Sequence, residues 1–89
     1  MLVRQVEVLN KLGLHTRAAA QLVRTASGFE SKITLRKDDR SADAKGIMGL
    51  LMLAATHGTV LELVVEGPDE YQSCSRIVEL FENRFGESE

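Results

Sequence analysis

The sequence contains very little cysteine, proline or aromatic residue. It has one cysteine, one proline, no tryptophan, one tyrosine and three phenylalanines. The lone Cys74 excludes an internal disulfide and is typical of a protein from a reducing cytosol. The aromatic side chains are too few to stack bases across a sheet, and the formal net charge is −2. We therefore expect no nucleic-acid partner, and a small α/β nucleic-acid module is a weak alternative.

The sequence also lacks the long apolar run that a membrane-spanning helix needs, which is about 20 residues. Its N-terminus does not show the charged and then apolar pattern of a signal peptide. We therefore expect a cytoplasmic protein with no membrane partner. A chain of 89 residues is sufficient for one small domain, and we expect a single domain over 1–89.

A local absence is more informative: no acidic residue occurs from Val8 to Phe29. Within this stretch a helix is predicted over 16–27, because apolar residues recur at helical spacing and Gly28 follows its end. The apolar residues of this helix are Ala19, Leu22, Val23 and Ala26. Helices usually carry an acidic residue in the first turn, where amide groups are free, but this one carries Arg17. The pattern predicts an anion site, with phosphate as the obvious anion.

His15 immediately precedes this helix, and three interpretations of it are open. It could be a surface histidine without a role, a metal ligand, or a nucleophile that accepts a phosphoryl group. Neither His57 nor Cys74 lies at ligand spacing from it, so we expect no metal site. A neutral imidazole nitrogen is available near pH 7, and phosphoryl transfer depends mostly on positioning and charge neutralisation.

The residues that follow the histidine would serve that chemistry. Thr16, Arg17 and Ala18 would bind the phosphate through backbone amides and the guanidinium group. Gly13 would allow the preceding loop to adopt a positive φ and keep the ring accessible.

The rest of the chain alternates strand and helix patterns. We predict strands over 2–9, 31–37, 40–44 and 59–66, a short helix over 46–53, and a last helix that begins within 67–70. The last helix has a predicted buried stripe of Cys74, Ile77, Val78, Phe81 and Phe85, and Gly86 to Glu89 is predicted to be a frayed tail. The order βαββαβα predicts an α+β open-faced sandwich, a four-stranded antiparallel sheet with three helices on one face.

The short helix over 46–53 is apolar nearly all round. A helix of this length cannot bury every side chain against one face of a sheet. Two interpretations are therefore open: all of its apolar residues belong to the core, or some of them form an exposed patch for docking partners. Methionine would make such a patch adaptable.

Two motifs resemble those of HPr, the family of histidine-containing phosphocarriers of the bacterial sugar phosphotransferase system. Residues 13–17, Gly-Leu-His-Thr-Arg, followed by two alanines, are similar to the active-site signature of that family. Residues 45–51, Lys-Gly-Ile-Met-Gly-Leu-Leu, resemble its regulatory segment. Motif spacing, chain length and element order also fit, so the resemblance extends from Met1 to about Phe85.

The resemblance implies a phosphocarrier that accepts a phosphoryl group on His15 from a phosphoenolpyruvate-dependent enzyme I and passes it to an enzyme IIA-type acceptor. Such a carrier is a substrate of both reactions more than an enzyme, and we expect it to be a monomer without a cofactor. Arg17 would serve the phosphoryl group. The resemblance also implies a docking surface formed by Arg24, Lys45, Ile47, Met48 and Leu51. A nitrogen-related regulatory paralogue and a phosphate-binding scaffold that is never phosphorylated remain as alternatives.

The chain departs from the family pattern at two positions. Gly46 stands where many members have a serine that a kinase phosphorylates in some bacteria, so that control cannot operate here. Ala18 stands where the family commonly has proline. Proline would restrict the unfolded chain and stabilise the fold by about 0.4–1 kcal/mol, so the site is expected to be slightly less rigid.

Overall fold

The elements follow one another in the predicted order. The computed structural model describes all residues from Met1 to Glu89. The secondary-structure elements are β1 Leu2–Glu7, α1 Thr16–Ser27, β2 Lys32–Lys37, β3 Arg40–Asp43, α2 Ile47–Met52, β4 Val60–Glu66 and α3 Glu70–Glu82, with a final 3₁₀ turn at Arg84–Gly86. The bounds of α1 agree with the prediction, whereas β1 ends at Glu7, earlier than predicted. Val8 is nevertheless buried and hydrogen-bonded to Thr59 and Gly58.

The four strands form one antiparallel sheet in the order β1-β4-β2-β3. Successive side chains of a strand point to opposite faces, so residues that pair directly share a face. Val6 pairs with Leu61, and Leu35 pairs with both Leu63 and Ala42. All five are buried, and they form the floor of the core.

The helices cover this face and leave the other face of the sheet open, which confirms the predicted open-faced sandwich. From α1, Leu22 is fully buried, which stabilises the fold by about 1.5–3 kcal/mol. Cys74 and Ile77 of α3 are buried as predicted, and Val78 is partly buried. No helix in the structure has the length and apolar character needed to cross a membrane.

The short helix α2 is stabilised at its C-terminal end by two cations of the β2–β3 hairpin. Lys37 donates hydrogen bonds to the carbonyls of Leu53 and Ala54, at 3.0 and 3.1 Å, and Arg40 donates one to Met52 at 3.2 Å. The last carbonyls of a helix have no intrahelical partner and carry partial negative charge. These contacts fix a helix that would be too short to persist alone.

The carboxyl-terminal segment differs from the prediction. Helix α3 ends at Glu82, and Phe85 lies in the separate 3₁₀ turn with a φ of 53°. Its ring is buried edge-to-face against Phe81, with centroids 4.9 Å apart, and Gly86 then turns the chain with a φ of 77°. The carbonyl of Glu89 accepts a hydrogen bond from the amide of Lys11 at 2.9 Å. The predicted frayed tail from Gly86 to Glu89 is therefore wrong, because the buried ring of Phe85 anchors this segment on the body of the protein.

Candidate functional site

The loop before α1 is fixed in position by the segment that follows α2. Gly13 has a φ of +73°, and a Cβ atom added there would lie 2.7 Å from the carbonyl oxygen of Ala55. The amide of Leu14 donates a hydrogen bond to that same oxygen at 2.8 Å. The prediction of a positive φ at Gly13 is confirmed. This close approach of two backbones sets where His15 begins the helix.

His15 is the N-cap residue of α1, and its carbonyl accepts the hydrogen bond of the Ala19 amide at 2.8 Å. No side chain caps this helix, and its first turn contains no acidic residue. The amides of the next three residues, Thr16, Arg17 and Ala18, have no intrahelical acceptor. They form the positive end of the α1 dipole directly beside the histidine, where an anion is stabilised.

The imidazole ring of His15 has one nitrogen engaged and one free. Its side chain is 28% exposed, and Nε2 lies 2.6 Å from Oε2 of Glu87. The other nitrogen, Nδ1, makes no hydrogen bond within the chain and is not a buried atom. An ionised carboxylate can only accept hydrogen bonds, so Nε2 carries the hydrogen and donates it. Nδ1 is then the nitrogen with an available lone pair.

Asn10 holds the carboxylate of Glu87 from the other side. The Asn10 side chain is fully buried, and its Nδ2 donates to the carbonyl of Gly13 at 2.7 Å and to Oε1 of Glu87 at 3.0 Å. Its Oδ1 is buried without a partner, because the two acceptors fix the amide group in this orientation. Sequence reasoning missed both Asn10 and Glu87. The one signal in the sequence was Phe85 followed by Gly86, since a large apolar residue next to a turn former indicates a segment that packs against the protein just before Glu87.

The Glu87 carboxylate is ionised at neutral pH. Burial raises the pKa of this carboxyl, but the hydrogen bonds from His15 and Asn10 and the charge of Arg17 outweigh burial and hold it below its ordinary value. A carboxyl with a lowered folded pKa stabilises the fold above its unfolded pKa. That contribution is lost as the pH falls through the folded value. The contact between Glu87 and His15 is therefore present at neutral pH and lost in acid.

Arg17 lies at the edge of a cleft beside the histidine. The cleft has a volume of ≈ 310 Å³ and is lined by Lys11, Leu12, Arg17, Glu87, Ser88 and Glu89. Arg17 is exposed, and none of the ion pairs of the structure includes it. Its guanidinium group is free to bind an anion placed at the start of α1.

Helix α2 exposes some of its apolar side chains and buries others. Leu50 and Leu53 are fully buried or nearly so, Ile47 and Leu51 are partly buried, and Met48 is 67% exposed. The interpretation in which every apolar residue of this helix belongs to the core is wrong for Met48. Because α2 packs against α1, Met48 belongs to the same layer as His15. A docking role for Ile47, Met48 and Leu51 stays a prediction.

The two predicted docking cations have different environments. Arg24 is exposed in the last turn of α1 and takes part in no ion pair. The ammonium group of Lys45 donates to the carbonyl of Phe29 at 2.7 Å, so it also ties α2 to the end of α1. His57 is exposed, and no group of three or more His, Cys, Asp and Glu side chains is arranged to hold a metal.

Comparison with known proteins decides the family. A family model described as the PTS HPr component phosphorylation site matches residues 2–83. The chain belongs to the HPr family. The phosphocarrier protein HPr of Xylella fastidiosa is 49% identical over 87 residues, which cover 98% of this chain and 98% of that protein. The chain is therefore a phosphocarrier of the phosphotransferase system, and these relatives favour neither of the two alternatives.

Solved HPr structures share the fold over most or all of the chain. The crystal structure of HPr-C-His from Thermoanaerobacter tengcongensis matches with a TM-score of 0.96 and 43% identity, and the match covers 100% of both chains. A crystal structure of an HPr dimer from the same organism matches with a TM-score of 0.79 and 45% identity, over 92% of this chain and 94% of that one. An HPr of this system exchanges phosphoryl groups with other proteins of the system.

Proposed function

We propose that His15 carries the phosphoryl group on Nδ1, receives it from enzyme I and delivers it to an enzyme IIA-type acceptor. The observation that carries this proposal is that the two nitrogens of the His15 ring have different environments. Nε2 is engaged with Glu87 at 2.6 Å, whereas Nδ1 is free at the start of a helix whose first turn contains no acidic residue.

The transfer needs only positioning and charge neutralisation from this chain. The Nδ1 lone pair forms a bond to phosphorus while the bond between phosphorus and the donor's leaving atom breaks, and that atom keeps the electron pair. The negative phosphoryl oxygens then face the amides of Thr16, Arg17 and Ala18 and the guanidinium group of Arg17. When an acceptor attacks, the bond between phosphorus and Nδ1 breaks. The amides and the guanidinium group do not hinder departure, because they hold the phosphoryl group only by hydrogen bonds and charge.

Donor and acceptor must reach the same histidine, so their docking surfaces on this chain overlap and they bind one at a time. The docking surface in this proposal is formed by Ile47, Met48 and Leu51, with cations at its margin. Exposed Arg24 suits a partner with an acidic rim, since opposite charges steer the encounter. We also propose that the carrier works as a monomer in the cytoplasm, although three solved relatives are named as dimers.

The direct test is incubation with enzyme I and phosphoenolpyruvate, followed by intact mass measurement at neutral and acidic pH. We expect one added phosphoryl group at neutral pH and its loss in acid, because the bond between phosphorus and an imidazole nitrogen is acid-labile. An enzyme IIA-type acceptor added afterwards should remove the group at neutral pH. No mass increase, or an acid-stable one, would refute the proposal.

Arg17→Ala is expected to slow phosphoryl transfer about 100-fold, which is typical for the loss of one group that stabilises developing charge. The free energy of unfolding should change by less than about 0.5 kcal/mol, because the side chain is exposed and lies at the positive end of a helix dipole. Quench-flow rates and thermal unfolding of the same sample measure both quantities.

Arg24→Ala is the matched control on the same helix. It should raise the KM for the partner in a salt-dependent way and leave the maximal rate unchanged, because Arg24 acts on encounter and not on the transferring group. Unimpaired transfer by the Arg17 variant, or an equal fall of maximal rate in both variants, would contradict the assigned role of Arg17.

A further inference from the structure

The carboxyl-terminal segment Gly86–Glu89 is held against His15 at both of its ends. On one side the buried Phe85 ring anchors it, and the amides of Gly86 and Glu87 bond to Asn83 and Arg84, each at 2.9 Å. On the other side the carbonyl of Glu89 accepts the amide of Lys11. Glu87 lies between these anchors with a side chain that is only 15% exposed. Its carboxylate is therefore an ordered part of the site.

We propose that Glu87 is a positioning residue for phosphoryl transfer, which keeps the hydrogen of His15 on Nε2 and so presents the lone pair of Nδ1 to phosphorus. The inference rests on the proposed role of His15 as phosphoryl acceptor. It deepens that role, because it names the group of this chain that selects the attacking nitrogen.

The geometry leaves the carboxylate one orientation. Oε2 accepts from His15, and Oε1 accepts from the amide of Asn10. The Asn10 amide cannot turn over, because its Nδ2 also donates to the carbonyl of Gly13 and the residue is fully buried. A continuous series of hydrogen bonds thus runs from the Gly13 carbonyl through Asn10 and Glu87 to the imidazole ring. A hydrogen bond on one imidazole nitrogen determines which nitrogen is left as the base.

The same contact suits the product of the reaction. When neutral His15 attacks phosphorus through Nδ1, the ring gains a bond and becomes a cation, with its hydrogen still on Nε2. The donor's leaving atom retains the electron pair of the broken bond, so charge is balanced. The Glu87 carboxylate then pairs with the cationic ring at Nε2, on the side of the imidazole away from the phosphoryl oxygens. A carboxylate oriented in this way stabilises an imidazolium without repelling the transferred group.

Glu87→Gln removes the charge and preserves the size of the side chain. The side-chain oxygen of the new glutamine can accept a hydrogen bond from Asn10 only if the NH₂ group of that glutamine faces His15. That NH₂ group is a donor, so Nε2 must become the acceptor and the hydrogen of the ring moves to Nδ1. The variant therefore holds the nitrogen that must attack in its protonated form.

The test compares Glu87→Gln with Glu89→Gln, which makes the same change in the same segment. Glu89 is 68% exposed, and its carboxylate lies 3.7 Å from Lys11. Transfer from enzyme I should slow about 10-fold or more in the Glu87 variant, which is typical for loss of a group that orients a reactive histidine, and be unchanged in the Glu89 variant. Imidazole ¹⁵N shifts of the unphosphorylated proteins at mildly alkaline pH should indicate Nε2–H in wild type and Glu89→Gln, and Nδ1–H in Glu87→Gln.

Both readouts are taken well below the unfolding midpoint of every variant, so they report on folded protein. An unchanged rate in Glu87→Gln overturns the inference, and so does a slowed rate with an unchanged tautomer. Failure of wild type to accept a phosphoryl group on His15 would instead overturn the proposed acceptor. The tautomer measurement distinguishes the two failures, because it needs no phosphorylation.

Discussion

His15→Ala is expected to accept no acid-labile phosphate from enzyme I and phosphoenolpyruvate, whereas the wild-type chain accepts one group. The substitution removes the only imidazole at the free amides of α1, and a hydroxyl such as that of Thr16 would form an acid-stable phosphate ester instead. The fold should persist because the side chain is not part of the core. Loss of its hydrogen bond to Glu87 should cost about 1 kcal/mol of unfolding free energy. Intact mass and thermal unfolding of one preparation measure both effects.

His57→Ala is the matched control, since it removes the second histidine of the chain. His57 is exposed in the turn that precedes β4, and it makes no side-chain hydrogen bond. This variant should be phosphorylated at the wild-type rate. Equal phosphorylation of the His15→Ala protein would show that another residue carries the group.

Met48→Asp is expected to weaken binding to enzyme I and to the enzyme IIA-type acceptor by about 2 kcal/mol, or roughly 30-fold, because it would bury a charge in an apolar contact. The unfolding midpoint should hardly change. The side chain is 67% exposed, and an acidic residue in the first turn of α2 interacts favourably with the helix dipole. Calorimetric titration with each partner, together with thermal unfolding, tests both statements.

Val3→Asp provides the control for the added charge. Val3 is 54% exposed and lies on the open face of the sheet, away from the helices. Its affinities for both partners should equal those of wild type. A fall of several degrees in the unfolding midpoint of Met48→Asp, with unchanged affinity per folded molecule, would show that Met48 contributes to packing and not to docking.

Local patterns were sufficient to predict the four strands and the first helix, but not the order of the strands in the sheet. Alternating apolar residues such as Leu61 and Leu63 have only one way to reach a common core, since neighbours along a strand point to opposite faces. The spacing of apolar residues in α1, with Gly28 behind them, defined both ends of that helix. Gly28 ends it without adopting a left-handed conformation, since its φ is −78°.

Helix α2 shows where a local pattern loses its power. Its side chains are apolar in nearly every direction, so periodicity cannot distinguish the buried residues from the exposed ones. Packing against the sheet decides the matter, and it buries Leu50 while leaving Met48 and Met52 in solvent. The Lys37 and Arg40 contacts that orient the helix come from a hairpin whose sequence gives no sign of this role.

The sequence predicted only those parts of the candidate site that are neighbours along the chain. The histidine, the free helix start and Arg17 are neighbours in sequence, and their chemistry could be inferred together. Glu87 is 72 residues away from His15, and no spacing rule connects them. Phe85 also reaches its buried position through a φ of 53°, a conformation that is rare for a large side chain and that sequence patterns do not predict.

The position of β4 inside the sheet determines the order in which parts of the fold can form during translation. β4 pairs with both β1 and β2, so neither strand completes its hydrogen bonds before residues 60–66 have been synthesised. The β2–β3 hairpin can form early, because its pairing is local, whereas closure of the long segment between β1 and β4 must come late and slows folding. The core side chains of α1 therefore have no completed sheet to pack against until β4 has been synthesised. The histidine acquires its contact with Glu87 only after that residue, 72 positions further along the chain, has been synthesised.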